Sequence, residues 1–132
     1  MNSKLKEVTS FWDNRPCNIN HSSSQTGTKK YFKELLRVSK NQIIWGGNYF
    51  KELEEWKGKK VLEIGCGLGT AAQSFVEAGA IYTGIDLSEK SLELARKRFE
   101  LFNLDGSFYR VDGEDISSVV PVEEYDLIYS FG

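Results

Sequence analysis

The stretch Lys60-Val61-Leu62-Glu63-Ile64-Gly65-Cys66-Gly67-Leu68-Gly69-Thr70 constrains the fold more than any other part of the chain. An apolar run carries an acidic residue near its end, and three glycines then follow at every second position. This pattern predicts a buried strand, a tight glycine turn and the first turn of a helix. Glycine has no Cβ and tolerates positive φ, so a ligand can approach the backbone of such a turn. The helix that follows begins with free N–H groups, which favour an anionic or polar ligand group.

Downstream, strands and helices alternate. We expect a strand over 61–64, a helix over 70–78 closed by Gly79, and a strand over 81–85 ending at Asp86. Ser88 is a suitable N-cap for a long helix to about Phe102, with Leu92, Ala95, Phe99 and Phe102 as its inner stripe. A strand over 107–111 ends at Asp112, a short helix or turn spans 115–120 before Pro121, and a last strand covers 125–130. Such alternation implies a parallel sheet with right-handed crossovers.

The first 58 residues read differently. Leu5, Val8, Phe11 and Trp12 recur at helical spacing until Pro16 stops the pattern. A polar loop containing His21 follows, and Thr28 can cap a second helix through Tyr31, Phe32, Leu35, Leu36 and Val38. A third short helix is expected over 49–56, with Phe50, Leu53 and Trp56 on one face. Residues 1–60 carry twelve Lys/Arg against six Asp/Glu, and residues 61–132 carry five against thirteen. The basic residues are dispersed, so a solvated basic segment beside an acidic α/β core is a better reading than nucleic-acid binding. No apolar run approaches the ~20 residues of a membrane helix, and the N-terminus has no signal-peptide core. We expect a cytoplasmic protein. Cys17 and Cys66 show no metal-ligand spacing and are not expected to pair.

Four separated motifs in order carry a resemblance: Glu63 to Gly69, Gly84-Ile85-Asp86-Leu87-Ser88, Val111-Asp112-Gly113-Glu114-Asp115, and Tyr125-Asp126-Leu127-Ile128-Tyr129-Ser130. Together they resemble a class I, Rossmann-like, S-adenosylmethionine (SAM)-dependent methyltransferase. The resemblance implies a three-layer α/β fold with a partial parallel sheet in the order 3-2-1-4. It also implies a SAM-binding half-domain over 59–132 and a helical extension or lid over 1–58.

By the same resemblance, Gly65, Cys66, Gly67 and Gly69 would bring the backbone to the methionine part of SAM, with Glu63 holding the turn and the ligand's ammonium. Asp86 would receive the ribose hydroxyls and Leu87 the adenine face. Asp112 and the Gly113 N–H would meet the adenine edge, and Ser130 and Phe131 would line the site beside the methionine. Residues 11–22 also resemble the leader of a group within this superfamily, which implies Trp12, Arg15, His21 and Tyr31 as lid or acceptor-binding candidates. The residues themselves also admit plainer readings: Asp86 and Asp112 as strand-end carboxylates, Cys66 as a small packing residue and Asp126 as a structural residue at a strand start.

A dinucleotide-binding domain is the nearest competitor. Its fingerprint is G-x-G-x-x-G/A, whereas Thr70 stands here at the last position, and 112–115 has no counterpart in that pattern. The expected function is methyl transfer from SAM to a small-molecule acceptor, leaving S-adenosylhomocysteine. The alternative is a SAM-binding module or half-enzyme without catalysis of its own. A complete domain of this family has a seven-stranded sheet, and four strands are legible here. Three explanations are open: a fragment of a longer enzyme, a split protein completed by a second polypeptide, or a homodimer that pairs the edges of the fourth strand; we expect a fragment that self-associates.

Overall fold

The computed structural model describes residues 2–16, 19–20, 22–41, 53–118, 120 and 124–130. Among the described residues there are four helices: α1 (Ser3–Asn14), α2 (Lys29–Asn41), α3 (Thr70–Glu77) and α4 (Glu89–Leu101). Four strands are β1 (Lys60–Ile64), β2 (Ile81–Asp86), β3 (Ser107–Arg110) and β4 (Leu127–Ser130), with 3-10 turns at Leu53–Trp56 and Gly113–Ser118. The strands form one parallel sheet in the order β3-β2-β1-β4. This is the order expected from the motifs.

The order decides the layers. The chain moves from β1 to β2 to β3 in one direction, so right-handed crossovers place both connecting helices on one face. On that face Val61, Tyr82, Phe108 and Tyr129 from the four strands meet Ala71, Ala72 and Phe75 of α3 and Leu92, Ala95 and Phe99 of α4. Phe99 meets Phe108 edge-on, ring centroids 4.8 Å apart. To reach β4 the chain must return across β1, which sends it over the opposite face. There Leu62, Ile85, Val111 and Val120 pack with Ile116 and Tyr125.

The helical extension joins the helix layer. Thr28 caps α2 as expected, accepting from Tyr31 N at 3.2 Å. Tyr31, Phe32 and Leu35 pack against Leu68 of the glycine turn and against Leu94, Leu101 and Phe102 at α4. Helix α4 is therefore apolar on two sides, one toward the sheet and one toward α2. Phe102, expected in the inner stripe with Leu92, Ala95 and Phe99, belongs to the second side.

Helix α1 forms where its periodicity predicts, but it turns the expected stripe outward. Val8, Phe11 and Trp12 are 39%, 50% and 42% exposed, while Thr9 is buried. A polar contact sets the orientation: Ser88 Oγ, at the cap of α4, donates to Asp13 Oδ1 at 2.7 Å. Of the helix expected over 49–56, the 3-10 turn Leu53–Trp56 is described, and Tyr49 and Phe50 lie outside the described residues.

Gly84 connects the core to the end of the sheet. A Cβ there would stand 2.7 Å from the Tyr82 hydroxyl and 3.0 Å from the Cys66 Cβ. Gly84→Ala is expected to lower stability by about 1–3 kcal/mol through overpacking, read by equilibrium denaturation. An unchanged midpoint would show that the Tyr82 ring yields freely.

Candidate functional site

Strand β1 delivers the chain to a turn built from positive-φ glycines: Gly65 at +76°, Gly67 at +54° and Gly69 at +77°. Residues with a Cβ are disfavoured in this region. The turn is tied to the end of β2 by Gly65 N and Cys66 N, which both donate to Ile85 O at 2.8 and 3.0 Å. Gly67 N donates to Asp86 Oδ2 at 2.8 Å. The glycines then differ in role. A Cβ on Gly69 would meet the Ala95 Cβ at 3.3 Å, so this glycine lets α4 approach. A Cβ on Gly65 or Gly67 would meet nothing within 4 Å, so the backbone there faces open space.

The other motif residues gather at the same end of the sheet because parallel strands share one polarity. Ile64 is in register with Ile85 and with Ser130, and Asp86 with Arg110. Asp86 spans two elements: its second oxygen accepts from Ser88 N at 2.9 Å. Each of its oxygens keeps further acceptor capacity. Leu87 is half-buried, and its carbonyl accepts from Arg110 Nε at 3.3 Å. Asp112 accepts from Glu114 N at 3.0 Å through Oδ1 and introduces the 3-10 turn that starts at Gly113. Ser130 is exposed and its hydroxyl donates to Ile64 O at 3.2 Å. Phe131 lies outside the described residues.

Glu63 lies beneath the turn and is 4% exposed. Tyr82 OH donates to its Oε1 at 2.5 Å. Burial, opposed by the Tyr82 hydrogen bond and reinforced by the Asp86 charge, pushes its carboxyl up to about 8. Cys66 is buried in the core face of the turn, and burial, with the charges of Glu63 and Asp86, holds its thiol well above the ordinary range. Such a thiol is a packing group and not a nucleophile.

The lid candidates separate. Trp12 is half-exposed and meets Phe11 edge-on, and the Arg15 guanidinium lies 5.7 Å from the Phe11 ring centroid. Asp13 holds this helix beside the end of β2 through Ser88. Tyr31 is fully buried and its hydroxyl donates to Ile19 O at 2.6 Å, which places it in the packing of the extension. His21 lies outside the described residues. Three residues escaped the sequence reading: Tyr82, Asp13 and Arg98. Arg98 is completely buried and donates to Leu68 O behind the turn. A basic residue on the inner side of the α4 pattern was the available signal for Arg98.

Glu63 makes stability pH-dependent in a defined direction. Its native carboxyl keeps a proton that the unfolded chain, with an ordinary value of 4.5, has already lost. The contribution is fully present below about 4.5 and is lost as pH rises through about 8. Glu63→Gln should remove this loss, so wild type falls relative to the variant by on the order of 1 kcal/mol per pH unit across that window. Parallel denaturation curves at pH 5, 6.5 and 8 check it, and a pH-independent difference would refute it.

The family described as methyltransferase domain matches residues 61–132. The chain is 39% identical over 97 residues to the ubiquinone biosynthesis O-methyltransferase of Thiobacillus denitrificans, covering 74% of this chain and 40% of that protein. The corresponding Stutzerimonas stutzeri protein is 30% identical over 97 residues, covering 74% of this chain and 40% of that protein. The chain thus spans about two fifths of the length of the curated relatives it matches. Among solved structures, magnesium protoporphyrin IX methyltransferase from Synechocystis superposes with a TM-score of 0.67 at 17% identity, covering 98% of this chain and 62% of that one. An S-adenosylmethionine-dependent methyltransferase from Mesorhizobium loti gives 0.54 at 30% identity, covering 68% of this chain and 39% of that one. The matched family, the sheet order and the glycine turn agree, and the chain belongs to the class I, SAM-dependent methyltransferase family.

Proposed function

We propose that this chain binds SAM across the Gly65–Gly69 turn and serves methyl transfer to a small-molecule acceptor. One observation carries the reading: the open backbone at Gly65 and Gly67 lies beside an Asp86 carboxylate bonded to Gly67 N at 2.8 Å. The residues present fit the cofactor. Gly65 and Gly67 leave room for its methionine part, and Asp86 has acceptor capacity for the ribose hydroxyls. Leu87 offers an apolar surface to the adenine, with Asp112 and Gly113 at its polar edge. Ser130 flanks the methionine side. Glu63 supports the turn from below.

SAM supplies an electrophilic methyl on a sulfonium. The protein's part is to align the acceptor in line with that methyl and to exclude water. This explains why the informative residues are binding residues. The relatives are O-methyltransferases of ubiquinone biosynthesis, which supports an oxygen nucleophile on a small organic acceptor.

A second reading has its own observation. Strand β4 pairs with β1 alone among the described strands, and its Ile128 is 62% exposed. An uncovered apolar strand edge invites pairing. The chain would then be a SAM-binding half-enzyme, completed by another polypeptide or by a second copy.

Calorimetry with SAM and S-adenosylhomocysteine, together with a methyl-transfer assay, separates the readings. Binding with turnover supports the first and binding without turnover the second, while no binding at millimolar ligand would sink both. Asp86→Ala removes hydrogen bonds to a charged acceptor, so affinity should fall about 10- to 100-fold. Light scattering after size exclusion tests the β4 edge. Self-association that Ile128→Lys abolishes is expected, and a dilution-stable monomer would count against edge pairing.

A further inference from the structure

Arg98 has a place in the fold that contact with a cofactor does not explain. It is fully buried, yet among the described residues no carboxylate forms an ion pair with it. A buried guanidinium is costly unless its hydrogen bonds are met. Here three hydrogen bonds from its two terminal nitrogens reach three separate elements. Nη1 donates to Leu68 O of the glycine turn at 3.0 Å and to Thr70 Oγ1, the first residue of α3, at 2.8 Å. Nη2 donates to Phe32 O of α2 at 3.0 Å, and the guanidinium carbon lies 4.7 Å from the Phe32 ring centroid. Nε is left without a partner. Leu68 in turn packs with Tyr31, Phe32 and Leu35, so the turn and α2 share an apolar cluster as well as a cation.

These contacts set up a mutual dependence. If α2 leaves, Arg98 loses the Phe32 carbonyl and the aromatic face, and a buried cation is left short of acceptors. If the turn rearranges, Arg98 loses Leu68 O and Thr70 Oγ1 with the same consequence. We propose that Arg98 is a positioning residue that makes the seating of α2 and the ligand-ready shape of the Gly65–Gly69 turn one cooperative unit, so that SAM binding and α2 docking are linked. The inference rests on the SAM reading of that turn. Linkage is reciprocal: a ligand that favours the ordered turn must tighten α2 by the same factor. Lysine cannot replace this arrangement, because one ammonium does not reproduce a planar fork with separated donors.

Amide hydrogen exchange of the full chain, with and without saturating SAM, tests the coupling. In wild type, SAM is expected to slow exchange across 29–41 as well as in the turn. Arg98→Lys should weaken SAM binding about tenfold and abolish the slowing across 29–41 while the turn itself remains protected. Thr70→Ala and Phe32→Leu each remove one partner and keep the apolar core, so they remain informative should Arg98→Lys fail to fold. Each is expected to weaken SAM about threefold and reduce the α2 response. SAM binding with unchanged α2 exchange in wild type overturns the coupling and leaves the cofactor reading intact. A variant that loses affinity but keeps the full α2 response overturns it as well. Absence of SAM binding in wild type overturns the cofactor reading, and the coupling with it.

Discussion

The hydrogen bonds that fasten the glycine turn to the end of β2 are the interaction on which the rest of the site depends. Gly65 N and Cys66 N share the Ile85 carbonyl, and Gly67 N reaches the Asp86 carboxylate. Positive φ at three glycines makes the turn tight enough to do this. The consequence is a backbone edge open to a ligand, with a carboxylate held beside it. Asp86 also accepts from Ser88 N, and Ser88 caps α4 by accepting from Ser91 N. One carboxylate thus joins a strand end, the turn and the approach to a helix.

Helix α4 spreads this organisation through the molecule. Its Leu92, Ala95 and Phe99 close the sheet face, and Leu94 and Leu101 receive α2. Its cap receives Asp13 of α1, and its Arg98 holds the back of the turn. The extension is therefore connected to the glycine-turn end of the sheet by polar contacts of two kinds. Asp13 reaches the rim beside Asp86, and Phe32 reaches the turn through a shared cation.

Sequence patterns were informative where geometry is local. The glycine spacing marks positive φ, Ser88 and Thr28 are caps whose partners lie three residues away, and strand–helix alternation leads to a parallel sheet, whose order the family resemblance implied. Periodicity was sufficient to place α1 but not to orient it. It locates a helix, but Val8, Phe11 and Trp12 face outward because Asp13 is drawn to the α4 cap. Nor does the sequence show that the ring of Tyr31 fills the cluster with Phe32, Leu35 and Leu68. A stripe says that a face is apolar and cannot say what covers it.

By itself, the amino-acid sequence determined the family, the turn, the strand-end carboxylates at Asp86 and Asp112, and the order of the elements. These follow from residue types whose effect on the backbone is short-range. Only the tertiary structure decided that Glu63 is buried against Tyr82, that Asp13 meets Ser88, and that Arg98 bridges Phe32 to the turn. Those partners stand 19, 75 and 66 residues apart. No local pattern encodes such pairs, because burial, and with it the need for each polar group to find a partner, arises only when the layers close.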